Sequence, residues 1–70
     1  MTRLDKFLKS RGVRFTQLHV ASGVSRQHIG RLRRGAASAT LSMAVKLTRA
    51  CRKLLGDPSI RVGDLFDLDG

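Results

Sequence analysis

The segment SGVSRQHIGRLRRG, residues 22–35, is rich in side chains that form directed hydrogen bonds. Five of them could bind a base edge or a phosphate, and they follow one another closely: Ser25, Arg26, Gln27, His28 and Arg31. Guanidinium and carboxamide groups can each form two parallel hydrogen bonds, which suits them to planar partners such as nucleobases. The simpler alternative is a solvated basic helix face without a dedicated partner.

The distribution of charge favours a polyanionic partner. The 70-residue chain has 14 Lys and Arg residues against 5 Asp and Glu residues, a formal net charge of +9. Residues 1–35 hold nine of the basic residues and a single acidic one, whereas residues 36–70 hold five and four. Because the excess lies around the segment described above, a basic surface there would attract nucleic acid.

Length and composition indicate one small helical domain, residues 1–70. Hydrophobic residues make up 41% of the chain, which is enough for a core, and Tyr and Trp are absent. Cys51 is the single cysteine, so no internal disulfide can form and a reducing compartment is favoured. Charged residues interrupt every apolar run near the N-terminus, and we therefore expect neither a signal peptide nor a membrane span. A cytoplasmic location follows as an expectation.

Apolar periodicity and capping residues predict five short helices around one core, an all-α fold. The predicted N-caps of the first four helices are Thr2, Thr16, Ser25 and Thr40. The glycines predicted to end these helices are Gly12, Gly23, Gly35 and Gly56, with Pro58 following the last. Asp5 lies at the capping-box position of the first helix, and VGDLFDL predicts a short final helix.

The helical period also predicts which faces are buried. In the third helix Ile29 and Leu32 face inward, Gln27, Arg31 and Arg34 lie opposite them, and Arg26 and Gly30 flank that outer face. The predicted apolar stripe of the fourth helix consists of Leu41, Ala44, Val45, Leu47, Thr48, Cys51 and Leu54.

Two short helices joined at a glycine predict a helix-turn-helix unit at about residues 16–34. Gly23 permits the positive φ that the turn needs, and Val24 must fill the corner between the helices. The outer face of the second of these helices could then lie in a major groove of DNA.

The ordered set of these residues resembles the phage repressor and Cro class of DNA-binding domains, the lambda-repressor-like or XRE type. The resemblance covers about residues 4–68 and is carried by Leu18, Gly23-Val24-Ser25, Ile29, Gly35, Thr40-Leu41 and Leu65-Phe66. It implies a compact five-helix fold in which the second and third helices form the helix-turn-helix.

The resemblance also implies roles for individual residues. Base contacts are expected from Arg26, Gln27 and Arg31, with Ser25 and His28 beside them. Phosphate contacts are expected from Gln17, Arg34, Ala37, Ser38 and Thr40. Similar domains build a dimer interface from the last helix, which here would be formed by Leu65, Phe66 and Leu68. The sequence departs from the pattern at Phe15, where a phosphate-binding glutamine is usual, and at His19, where the usual residue is small.

We therefore expect a sequence-specific regulator of transcription that binds double-stranded DNA as a homodimer and acts as a repressor. Two alternatives remain: an antitoxin or phage accessory protein of the same fold whose main partner is a protein, and a non-specific nucleic-acid-binding protein. An enzyme is not expected, because no nucleophile is spaced with a base and neither His19 nor His28 has companions that would complete a metal site. We likewise expect no cofactor, small-molecule ligand or membrane partner.

Overall fold

The computed structural model describes residues 2–37 and 39–66, and in that part of the chain it contains five α-helices and no strand. Their bounds are α1 Arg3–Arg11, α2 Phe15–Ser22, α3 Arg26–Arg34, α4 Leu41–Leu55 and α5 Val62–Leu65. The prediction of an all-α fold with five helices is confirmed.

Three of the helices begin as predicted, with a hydroxyl group that satisfies a backbone N–H of the first turn. The side-chain oxygens of Thr2, Ser25 and Thr40 accept these hydrogen bonds at the starts of α1, α3 and α4. Such a cap stabilises a helix because the first N–H groups have no partner inside it.

The start of α2 differs from the prediction. The helix begins at Phe15, so Thr16 lies inside its first turn and is not the N-cap. Instead, Oε1 of Gln17 reaches back and accepts a hydrogen bond of 3.0 Å from the backbone N–H of Arg14. A glutamine at the third helical position can satisfy the N–H that precedes the helix, so this start needs no hydroxyl.

The core is built from residues of all five helices and of the connecting segments. Its buried apolar side chains are Leu4, Leu8, Leu18, Val24, Ile29, Leu32, Ala44, Leu47, Ala50, Cys51, Ile60 and Leu65. Helix α2 packs against α4, while α1 contacts both α3 and α5. Burial raises the pKa of the Cys51 thiol to about 11, so this group stays protonated at neutral pH and packs as a small apolar side chain.

Two residues of the predicted apolar stripe of α4 are exposed, contrary to expectation. The side chain of Leu41, the first residue of the helix, is 69% exposed, and that of Leu54 is 37% exposed. Gly30 lies beside the outer face of α3 as predicted, next to Gln27 and Arg34, but it is buried because the start of α2 crosses α3 at this point. A Cβ atom at Gly30 would lie 3.8 Å from Cζ of Phe15.

An ion pair joins the C-terminal turn of α3 to α1. Nε and Nη2 of Arg33 donate hydrogen bonds of 2.8 and 2.5 Å to Oδ1 of Asp5, and the guanidinium carbon lies 4.2 Å from the centroid of the Phe15 ring. The hydroxyl of Thr2 also donates a hydrogen bond of 2.6 Å to the carbonyl of Arg33. The Asp5 carboxylate thus binds an arginine from another helix. The only sequence signal for this pairing was that Asp5 is the sole acid of residues 1–35.

The ion pair predicts how acid destabilises the fold. The hydrogen bond from Arg33, with a further contribution from Lys9, holds the pKa of the Asp5 carboxyl below its ordinary value of 3.8. A carboxylate with a lowered pKa contributes stability above its ordinary pKa and loses it as the pH falls through the lowered value. We expect Asp5→Asn to unfold at lower urea concentration than the wild type at neutral pH, and the difference to shrink below about pH 4.

The measurement is a series of urea unfolding curves from about pH 7 to about pH 2. Arg33→Lys is the matched variant, since it keeps the positive charge but loses the forked geometry and the stacking on Phe15. Its stability should lie between those of the wild type and Asp5→Asn. Curves for wild type and Asp5→Asn that differ by the same amount at every pH would contradict this account.

Candidate nucleic-acid interface

The connection between α2 and α3 is fixed by backbone geometry and by one histidine. Gly23 has a φ of 74°, in the left-handed region that favours glycine, and its N–H donates to the carbonyl of His19. Val24 follows and is only 6% exposed, so it fills the corner as predicted. Nδ1 of His19 lies 2.6 Å from the carbonyl oxygen of Val24. Because a carbonyl only accepts hydrogen bonds, Nδ1 carries the hydrogen.

Helix α3 is held by its inner face, which leaves its outer face available. Ile29 and Leu32 are 0% and 4% exposed, as the helical period predicted. On the outer side Arg26, Gln27 and Arg31 are all exposed. With its apolar residues on one side only, the helix is anchored without using any of these three side chains.

Internal partners divide the basic residues of the N-terminal half into two groups. Four have a side-chain ion pair or hydrogen bond within the described part of the chain: Arg3, Lys9, Arg11 and Arg33. The other five have none within residues 2–37 and 39–66: Lys6, Arg14, Arg26, Arg31 and Arg34. Three of the four paired cations belong to α1, whereas the unpaired ones other than Lys6 lie on α3 or immediately before α2. Within the N-terminal half, the available positive charge is therefore concentrated at α3 and not on α1.

A shallow groove separates the outer face of α3 from the start of α2. It has a volume of about 580 Å³ and is lined by Phe15, Thr16, Arg26, Gln27, Gly30 and Arg34. Phe15 supplies an apolar wall because its ring packs against the core. Gln17 lies nearby on α2, and its Oε1 is occupied by Arg14, so its Nε2 is the atom left to donate to a phosphate.

The other predicted phosphate contacts lie where α3 leads into α4. Ala37 is half-buried against the core and has only its backbone to offer. The Thr40 hydroxyl oxygen accepts from the backbone N–H of Met43, so its own hydrogen remains as a donor. Ser38 lies outside the described residues. The remaining candidates, Ser25 and His28, flank the start of α3, where the Ser25 oxygen accepts from the backbone N–H of His28.

Of the three residues predicted to form a dimer interface, one is buried within its own chain. Leu65 is 0% exposed within the core of its own chain, so contrary to expectation it has no surface with which to contact a second copy. Phe66 is partly buried against the same core and keeps some exposed area. Leu68 lies outside the described residues.

No group of three or more His, Cys, Asp or Glu side chains within the described residues could hold a metal ion. None of the helices in the same part of the chain is both long and apolar enough to span a membrane.

The hydrogen bond from His19 predicts a mutational series. We expect His19→Ala to lower the free energy of unfolding by about 1 kcal/mol, because the carbonyl of Val24 loses its donor. His19→Asn should retain most of the stability, since the carboxamide N–H can occupy nearly the same place as Nδ1–H. Chemical denaturation measures both variants, with His28→Ala as the control. If His19→Asn were as unstable as His19→Ala, the hydrogen bond would not be what stabilises the turn.

Comparisons of the chain with protein-family models, with curated proteins and with solved structures found no match. The observations that bear on function are therefore those of the chain itself. They are a short helix anchored on one side, hydrogen-bonding groups on its other side that have no partner among residues 2–37 and 39–66, and the unpaired positive charge of the N-terminal half gathered around it.

Proposed function

We propose that this protein is a sequence-specific regulator of transcription that binds double-stranded DNA. In this proposal α2 and α3 form a helix-turn-helix of the lambda-repressor-like kind, and α3 lies in the major groove. The observation that carries the proposal is the division of α3 into two faces. Ile29 and Leu32 secure the helix to the core, while Arg26, Gln27 and Arg31 are exposed and have no side-chain partner in the part of the chain that the structure describes.

The side chains on the outer face suit the edges of bases in the major groove. A guanidinium group can donate two hydrogen bonds to O6 and N7 of guanine, and a carboxamide can pair with N6 and N7 of adenine. Arg26 and Gln27 are the first two residues of α3, and in helix-turn-helix proteins the N-terminal residues of the second helix meet the base edges. Ser25 and His28 are close enough in sequence to assist them.

Phosphate contacts would surround the base contacts and supply most of the affinity. Arg34 lies at the end of α3 and lines the groove beside α2, and Nε2 of Gln17 and the hydroxyl of Thr40 are further donors. Because these contacts release counterions from DNA, binding should weaken steeply as salt increases.

The proposal includes a homodimer on a roughly palindromic operator, with half-sites about 34 Å apart, acting in the cytoplasm as a repressor that occludes a promoter. Two copies of so small a domain bury more DNA surface than one, which supports a dimer on affinity grounds. Of the residues first expected at the dimer interface, Phe66 is the described one that keeps exposed surface.

Two arginines of α3 provide the test. With a duplex selected from a random pool, Arg26→Ala should weaken the free energy of binding by about 1–3 kcal/mol and relax the preference for one base pair. Arg34→Ala should weaken selected and unrelated duplexes alike and lower the salt slope by about one. Fluorescence anisotropy with both duplexes at several salt concentrations measures these effects.

Arg61→Ala is the matched control, because Arg61 is exposed and lies outside α3. It should change affinity for either duplex by less than the two variants of α3. Equal losses on selected and unrelated DNA for both Arg26→Ala and Arg34→Ala would contradict base recognition by α3 and favour a non-specific nucleic-acid-binding protein.

A further inference from the structure

The surface formed by α2 and α4 has an exposed apolar groove whose apolar residues the proposed function does not use; of its lining, only Gln17 is also a proposed phosphate donor. The groove has a volume of about 750 Å³ and is lined by Thr16, Gln17, Val20, Ala21, Lys53 and Leu54. Val20 is 79% exposed and Leu54 is 37% exposed, although α2 has only eight residues and α4 packs directly against it. Exposed apolar side chains gathered in a groove with a polar rim are typical of a surface that a partner covers.

The charged residues of the two helices that form the groove all have one sign, and one of them, Lys53, lines it. Neither α2 nor α4 contains an Asp or Glu residue. Lys46, Arg49 and Lys53 are spaced by three and four residues, so they lie on one face of α4, and all three are exposed. None of them forms an ion pair within the described part of the chain. By contrast, Arg52 on the same helix donates a hydrogen bond to the carbonyl of Ile60.

We propose that this groove binds an acidic amphipathic helix of a partner protein. A helix of that kind has an apolar face, which would cover Val20 and Leu54, and carboxylates beside it, which would meet the basic stripe of α4. Burial of the apolar side chains supplies affinity, and the charges select an acidic partner and its orientation.

Other occupants satisfy only part of this surface. Phosphates of a duplex would pair with Lys53 but leave Val20 and Leu54 exposed to water. A second copy of the chain, docked groove to groove, would bring two basic stripes together, and like charges in contact oppose association. An anionic membrane could neutralise the stripe, but two exposed apolar side chains bury too little area for insertion.

The inference does not depend on DNA binding. Val20 and Leu54 belong to the α2–α4 surface, whereas the groove beside α3 is lined by a different set that includes Arg26 and Arg34. Thr16 is common to both sets, and Gln17, a proposed phosphate donor, lines the groove between α2 and α4, so the two sites adjoin at the start of α2. A partner helix that covers Val20 and Leu54 could therefore bind while α3 is occupied, unless it extends to Gln17.

The probe is a synthetic peptide with leucines at the helical spacing i, i+3, i+4 and i+7 and glutamates at most other positions. The comparison peptide has the same composition in an order that breaks the apolar face. Titration into the ¹⁵N-labelled full chain should shift the amide signals of Val20, Ala21, Lys53 and Leu54, and the comparison peptide should bind about tenfold more weakly or worse. Equal binding of the two peptides, or shifts centred on Arg26 and Arg31, would overturn the proposal.

Variants separate the groove from general attraction. Val20→Ser and Lys53→Glu should each weaken binding of the peptide by about tenfold. Leu41→Ser and Arg61→Glu are the controls, because they make the same kinds of change outside the groove, and they should leave peptide binding unchanged. Thermal unfolding checks that each variant folds. If Val20→Ser does not fold, the peptide affinity of Lys53→Glu alone tests the proposal. The proposal would also be overturned if the chain self-associated and Val20→Ser abolished that association. It would be overturned as well if anionic vesicles bound more tightly than the peptide and were weakened by the same variants.

Discussion

The burial of Ile29 and Leu32 in the core is the constraint on which the position of α3 depends, and the ion pair between Arg33 and Asp5, stacked on the ring of Phe15, adds a link at the end of the helix. A helix of nine residues is marginal by itself in water and needs tertiary contacts to persist. The turn at Gly23 and Val24 fixes the beginning of α3, and Arg33 fixes its end. Arg33 is the arginine of α3 that has an internal partner, and Arg26, Arg31 and Arg34 form no ion pair or side-chain hydrogen bond within residues 2–37 and 39–66. On α3 the fold thus uses one cation for structure, and the proposal assigns the neighbouring ones to DNA.

Features governed by local chemistry could be predicted from the sequence. A hydroxyl that caps a helix acts within three residues, as at Ser25, and a glycine in the left-handed region acts at its own position, as at Gly23. The helical period likewise placed Ile29 and Leu32 inside, because two residues three apart share one side of a helix. These short-range signals were sufficient for the five helices and for the exposed face of α3.

Features that depend on distant neighbours could not be predicted. Arg33 and Asp5 are 28 residues apart, and composition treats each merely as one charge among many. The burial of Gly30 depends on where Phe15 crosses it, and the burial of Leu65 depends on how a four-residue helix docks on α1 and α4. The exposed groove at Val20 could not be predicted for the same reason, since the sequence of α2 does not indicate which side α4 will leave uncovered.

The central claim is that α3 reads base edges in the major groove, and a double-mutant cycle between protein and DNA tests it most directly. Guanines of a selected duplex are replaced one at a time by 7-deazaguanine, which lacks the N7 acceptor. We predict that one replacement weakens the wild type by about tenfold and has little further effect on Arg26→Ala, since the contact it removes is already lost. The account would be contradicted if, at every guanine, the loss of binding free energy from the base replacement simply added to the loss from Arg26→Ala, and likewise for Arg31→Ala.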